Sequence, residues 1–115
     1  MKIGIDIEKI ERFNLNRGDS FIENNFTKDE INYAFSKKMP EATLCGLFCA
    51  KEAIIKTLDK QDILLNEIEI SWNSEGKPSV KFLKGRYLED SKFSISISHS
   101  GEYATAIALR GENDK

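Results

Sequence analysis

The chain's 115 residues, 40% hydrophobic and 31% charged with a formal net charge of −2, suit one folded domain spanning residues 1–115. They exclude a disordered polymer and a strongly basic nucleic-acid binder. Two cysteines and a single histidine cannot supply a zinc shell of four such side chains.

The opening residues alternate apolar with charged instead of running apolar, and no stretch approaches a membrane span. A cytoplasmic protein without membrane or nucleic-acid partners is expected. Residues 2–8 alternate strictly, with Ile3, Ile5 and Ile7 on one side and Gly4, Asp6 and Glu8 on the other. That pattern predicts a β-strand with its isoleucine face buried. Aspartate is disfavoured inside strands, so Asp6 is either solvated, the simpler reading, or held there for a purpose. Up to Phe13 the apolar spacing lengthens to three, a helical turn whose outer side carries Lys9 and Arg12. Residues 14–25 read as loop with one helical turn near Phe21 and Ile22. Thr27 followed by Glu30 is a capping-box pattern, opening an amphipathic helix that ends near Lys38. Pro40 suits the first turn of the next helix, which runs to about Leu58.

The stretch 44–58 has the longest clean helical periodicity. Leu44, Leu47, Phe48, Ile54, Ile55 and Leu58 share one arc, while Gly46, Ala50, Ala53 and Thr57 form a side small enough for another backbone to approach. This is a central helix. Lys51 falls within the apolar arc, where a lysine either snorkels along the core, the default reading, or points into a cavity holding an anion. Glu52 and Lys56, four apart, stack on one edge; by default they form an exposed pair worth about 0.3–0.5 kcal/mol.

Residues 59–66 connect to a part of the chain with period two. Ile68, Ile70 and Trp72, a turn at 73–77, then Val80 and Phe82 make one hairpin. Residues 85–90 fit either loop or a short helix. Phe93, Ile95 and Ile97, alternating with Ser94, Ser96 and Ser98, pair with the small apolar strand 103–109 in a second hairpin. The class is α+β, an antiparallel sheet packed on a long central helix. His99 sits where strand meets turn, and alone it is an ordinary strand-end histidine.

Together, GIDIE at 4–8, FCAKEAIIK at 48–56, GKP at 76–78 and SISHS at 96–100 come in the order and approximate spacing seen in 4'-phosphopantetheinyl transferases. The chain's length resembles the short members, the holo-acyl-carrier-protein synthases, and the resemblance covers nearly the whole chain. It implies that family's fold and a Mg²⁺-dependent transfer of 4'-phosphopantetheine from coenzyme A to a serine of an apo acyl carrier protein, releasing adenosine 3',5'-bisphosphate. By resemblance Asp6 and Glu52 are metal ligands, and Glu8 is a third carboxylate as in the long members. Lys56 carries charge to the transferring phosphoryl group. His99, with Ser98, Lys77, Pro78 and Lys51, belongs to the coenzyme A site, and Lys9 and Arg12 meet the carrier. Short members are typically homotrimers with the histidine reaching the site from the adjacent subunit, and they serve fatty acid biosynthesis. Two departures bear on this: Leu47 stands where the family often has an arginine, and Asp59 begins a segment where a glycine-rich turn is common. The alternatives are a non-catalytic module binding coenzyme A or a carrier, and a Mg²⁺-dependent phosphohydrolase on the same frame.

Overall fold

The computed structural model describes residues 1–59, 63–84 and 93–111. Strand β1 (Lys2–Lys9) leads through a 3-10 turn at Ile10–Phe13 into helices α1 (Ser20–Asn25), α2 (Lys28–Phe35) and α3 (Pro40–Lys56). A second 3-10 turn, Leu65–Glu67, precedes β2 (Ile68–Trp72), β3 (Pro78–Phe82), β4 (Phe93–Ser100) and β5 (Tyr103–Arg110). The capping box at α2 is formed in both directions, Glu30 N–H to Thr27 Oγ1 at 3.2 Å and Thr27 N–H to Glu30 Oε1 at 2.9 Å. Residues 85–90 and part of the 59–66 connection lie outside the described residues.

The strands form two sheets where one was anticipated: an antiparallel sheet in the order β1-β5-β4 and a separate β2-β3 hairpin. Phe82 of β3 and Phe93 of β4 bring them together, their rings 5.4 Å apart. Helix α3 lies across the three-stranded sheet, and small residues set how closely. Ala104, Ala106 and Ala108 of β5 are buried beneath it, with no long side chain to hold the helix away.

One expectation is reversed. Ile3, Ile5 and Ile7 are 62%, 60% and 62% exposed, while Gly4 on the opposite face is buried. Alternation alone cannot say which face meets the core, and here glycine decides it. A Cβ on Gly4 would lie 1.9 Å from the Ala53 carbonyl oxygen. Only the hydrogen side of β1 can therefore rest on α3, and this turns Asp6 and Glu8 inward with Gly4. The isoleucines are left on the outer face, opposite Leu109, Ile107 and Thr105 of β5.

Candidate active site

The seam between β1 and α3 brings together Asp6 and Lys56. Lys56 Nζ donates to the Ile5 carbonyl oxygen at 2.7 Å and lies 3.5 Å from Asp6 Oδ1. The default pairing with Glu52 gives way to this one, because the close approach at Gly4 puts strand carbonyls within the lysine's reach. Glu52, half-buried, sits one helical turn before Lys56 on the same edge. Thr105 Oγ1 donates to the Asp6 carbonyl oxygen at 2.8 Å, holding that point of the strand.

Asp6 Oδ2 is buried and has no hydrogen-bond partner. A carboxylate oxygen removed from water without a donor is costly, and a cation would relieve it. The donors are all oxygen, which suits a hard divalent ion. Among the described residues no three Cys, His, Asp or Glu side chains converge on one point. A Mg²⁺ ion needs only one or two carboxylates when water and phosphate complete its shell, so the residues fit.

Glu8 faces the same side of β1 as Asp6. Burial, and then the neighbouring Asp6 carboxylate, raise its pKa above the ordinary carboxylate range, with Arg12 pulling the other way. Arg12 Nη1 donates to Glu8 Oε1. The guanidinium also rests over the rings of Phe13, Phe21 and Phe48, at 5.5, 5.9 and 5.4 Å from their centroids. The sequence left this engagement unseen; its signal is the run Phe13, Phe21 and Phe48 around one arginine four residues from an acid. Lys9, also anticipated on the outer side, is exposed, with its ammonium 6.0 Å from the centroid of the Tyr103 ring. Behind Glu8, Cys45 and Cys49 are free and fully buried. Cys49 Sγ donates to the Ala104 carbonyl oxygen at 3.3 Å, and the neighbouring Cys45 thiol and burial push the Cys49 thiol up.

On the other side of α3 a groove of about 760 Å³ runs between the β2-β3 turn and β4. Lys77 and Pro78 form part of its wall. They are placed by a tight turn in which Asn73 Oδ1 accepts from the Glu75 and Lys77 N–H groups at 2.9 and 3.0 Å. Gly76 adopts φ +81, a left-handed conformation that favours glycine. His99 lines the groove too, its Nε2 2.9 Å from the Ala42 carbonyl oxygen. Because a carbonyl oxygen only accepts, Nε2 is the donor in that contact. Gly46 permits it, since a Cβ there would lie 3.1 Å from His99 Nε2. Ser98, one residue earlier, faces the outer side of the sheet opposite Thr105, away from the groove. Sequence reasoning missed the Tyr33–Trp72 stack on the groove wall, with ring centroids 4.4 Å apart and Lys37 Nζ 4.6 Å from the Tyr33 ring.

Lys51 is a correction. It is fully buried, and its ammonium, directed into the core, is taken up entirely within the protein. Nζ lies 2.5 Å from Glu30 Oε1 and donates to the carbonyl oxygens of Asn25 and Leu65 at 3.0 and 3.1 Å. Burial lowers the lysine's pKa and raises the glutamate's. A lysine so enclosed neither snorkels nor meets a phosphate. The departures also find their places. Leu47 is 1% exposed beneath the groove, and exposed Asp59 lies 3.2 Å from Lys2 Nζ and 4.0 Å from Arg110 Nη2.

A family model described as the 4'-phosphopantetheinyl transferase superfamily matches residues 2–108. The holo-[acyl-carrier-protein] synthase of Protochlamydia amoebophila is 41% identical over 115 residues, covering 93% of this chain and 94% of that protein. The solved Neisseria meningitidis holo-[acyl-carrier-protein] synthase, 24% identical, shares the fold with a TM-score of 0.82 over 96% of this chain and 98% of that one. The corresponding Bacillus anthracis synthase, solved in complex with CoA (3',5'-ADP), is 29% identical with a TM-score of 0.75, covering 96% of each chain. The chain belongs to the 4'-phosphopantetheinyl transferase superfamily.

Proposed function

We propose that this single-domain chain transfers the 4'-phosphopantetheine group of coenzyme A to a serine hydroxyl of an apo acyl carrier protein. The observation that carries the reading is the buried, unpartnered Oδ2 of Asp6 beside Lys56, in a chain whose relatives are holo-[acyl-carrier-protein] synthases. In the reaction the serine oxygen forms a bond to the β-phosphorus of coenzyme A, and the bond to the bridging pyrophosphate oxygen breaks. Adenosine 3',5'-bisphosphate departs and the serine proton passes to base or solvent. Such transfers depend on positioning and on neutralising charge. Asp6 and Glu52, with Glu8 as a third carboxylate, would hold Mg²⁺, which when bound offsets charge on the pyrophosphate.

Lys56, half exposed at its side chain, has the freedom to move its ammonium from the Ile5 carbonyl to the transferring group. The groove takes coenzyme A, with Lys77 supplying positive charge, Pro78 a rigid wall and His99 a hydrogen-bonding edge. The arginine common in the family near the coenzyme A phosphates has no counterpart at buried Leu47, so Lys77 carries more of that contact. Lys9 and Arg12 face the carrier.

The outer face of the three-stranded sheet supports self-association as a homotrimer. Ile3, Ile5 and Ile7, with Ile107 and Tyr103, are an apolar surface a single copy leaves in water. Ser98 lies on this face, and packing of copies there would bring it toward a neighbouring subunit. Among the described residues no helix is long and apolar enough to cross a membrane, and the reaction belongs to the cytoplasm and to fatty acid biosynthesis.

The deciding experiment is the intact mass of an apo carrier after incubation with this protein, coenzyme A and Mg²⁺, with an EDTA control. A metal-dependent gain of one phosphopantetheine unit is the expected result. Coenzyme A binding without any gain on several carriers would favour the non-catalytic module. Phosphopantetheine released with no carrier present would favour a phosphohydrolase.

A further inference from the structure

Beyond Lys77, Pro78 and His99, the groove is walled by an aromatic pair that the transfer reaction as described does not employ. Tyr33 and Trp72 both line it, half-buried, with ring centroids 4.4 Å apart and planes at 18°. The stack is held by its own elements. Glu30 and Tyr33 lie three apart on one face of α2, and Ile70 and Trp72 lie two apart on one face of β2. Glu30 Oε2 accepts from the Ile70 N–H at 2.7 Å, and Thr27 Oγ1 donates to Glu69 Oε2 at 2.6 Å. Helix and strand are locked there, and Tyr33 meets Trp72 one step further along. Lys37, one turn beyond Tyr33, places Nζ 4.6 Å from the Tyr33 ring centroid. With one face of Tyr33 against the indole, that ammonium covers the other, so the ring surface left to the groove is chiefly that of Trp72.

The surroundings of the indole each fit one part of a nucleotide. Trp72 stands opposite Pro78 in the β2-β3 register, so Lys77 adjoins it. Asn73, the next residue along the groove, commits Oδ1 to the N–H groups of Glu75 and Lys77, and its amide NH2 is the donor that remains. A flat apolar ring, a cation and an amide donor side by side match a purine, a phosphate and a ring nitrogen. The reacting pyrophosphate belongs with Asp6 and Lys56, neither of which lines the groove, so the groove receives an end of coenzyme A. The pantetheine end has no ring to stack. The adenosine end carries a purine and, on its ribose, a further phosphate for Lys77.

We propose that Trp72, braced by Tyr33 and Lys37, is the platform on which the adenine of coenzyme A stacks, making it a determinant of nucleobase selectivity. A ring already immobilised loses little freedom when a base settles on it. Every base stacks on an aromatic ring, but a two-ring purine covers more of the indole than a pyrimidine does. The inference rests on coenzyme A occupying the groove.

Trp72 is the chain's one tryptophan, so its fluorescence reports the contact in the unaltered protein. The test compares adenosine 3',5'-bisphosphate with cytidine 3',5'-bisphosphate, which carries the same sugar phosphates, by calorimetry and by Trp72 emission. Wild type should bind the adenosine compound roughly tenfold more tightly, the scale of one base–aromatic contact, and that binding should quench the indole. Trp72→Leu should erase most of the preference by weakening the adenosine compound, and Trp72→Phe should keep most of it, with circular dichroism checking that both variants fold. Equal weakening of both compounds in Trp72→Leu would reduce Trp72 to a support of the groove wall and overturn the platform. So would a wild type without preference, or an emission spectrum unchanged at concentrations where calorimetry shows binding. Carrier modification persisting alongside such a result would leave the transfer reading standing and remove only the platform. If neither compound binds wild type, coenzyme A does not occupy the groove, and the inference falls with that reading.

Discussion

Replacing Lys51 by methionine removes a cation whose partners are all inside the protein. Its ammonium lies 2.5 Å from Glu30 Oε1 and bonds to two carbonyl oxygens at 3.0 and 3.1 Å. Glu30 Oε2 accepts from the Ile70 N–H at 2.7 Å, so the pair joins α1, α2, α3 and β2. Both side chains are 0% exposed. With Lys51 gone, the Glu30 charge stays buried, opposed only by backbone N–H groups. Breaking a buried pair in this way costs about 3–5 kcal/mol, against a total stability of about 5–15 kcal/mol for an ordinary domain. The assay is urea unfolding followed by circular dichroism on wild type, Lys51→Met, Glu30→Gln and the double variant. The double variant should lose less than the sum of the singles, with a coupling of about 0.5–3 kcal/mol for residues in contact. Coenzyme A affinity, measured where the variants are folded, should be unchanged. A stable Lys51→Met protein with coenzyme A binding weakened tenfold would refute the reasoning and restore Lys51 as a phosphate contact.

Gly4→Ala places a methyl group 1.9 Å from the Ala53 carbonyl oxygen, so β1 must lift from α3; overpacking of this kind costs about 1–3 kcal/mol, and both melting temperature and transfer rate should fall. Glu52→Ala should abolish phosphopantetheine transfer, and near-normal turnover at saturating Mg²⁺ would remove Glu52 from the site. His99→Ala should mainly weaken coenzyme A binding, read as a higher dissociation constant by calorimetry; an unchanged constant would count against its place in the groove. Ile5→Glu, on the outer face beside Ile107, should shift the sedimenting mass toward that of one chain while leaving the circular dichroism spectrum intact; an unaltered mass would take the interface elsewhere.

The elements were legible where a local signal had no competitor. The Thr27–Glu30 box, Pro40 at a helix start and the period-two runs at Ile68–Trp72 and Phe93–Ser100 each act within a few residues, and the structure follows them. What alternation could not convey is direction. The isoleucines of β1 carry the greater transfer free energy, and read in isolation they belong in the core. The chain turns them outward because the face that meets α3 must come within reach of its backbone, and only Gly4 allows that. That choice creates the Asp6–Lys56 contact, and so the cleft's chemistry follows from a glycine whose role no periodicity reveals. Lys51 shows the complementary limit. Its position in the apolar arc suggests a snorkelling stem or an anion cavity, and neither holds, because its partner Glu30 lies 21 residues away on another helix. Glu30 had already been explained as half of a capping box; one of its oxygens caps α2 and binds Lys51, and the other holds β2. A residue that satisfies a local rule can carry a long-range contact as well, and the local rule conceals it. Arg12 repeats the lesson at the surface, where a basic side chain assigned to an outside partner is first engaged by its own aromatic seat and by Glu8.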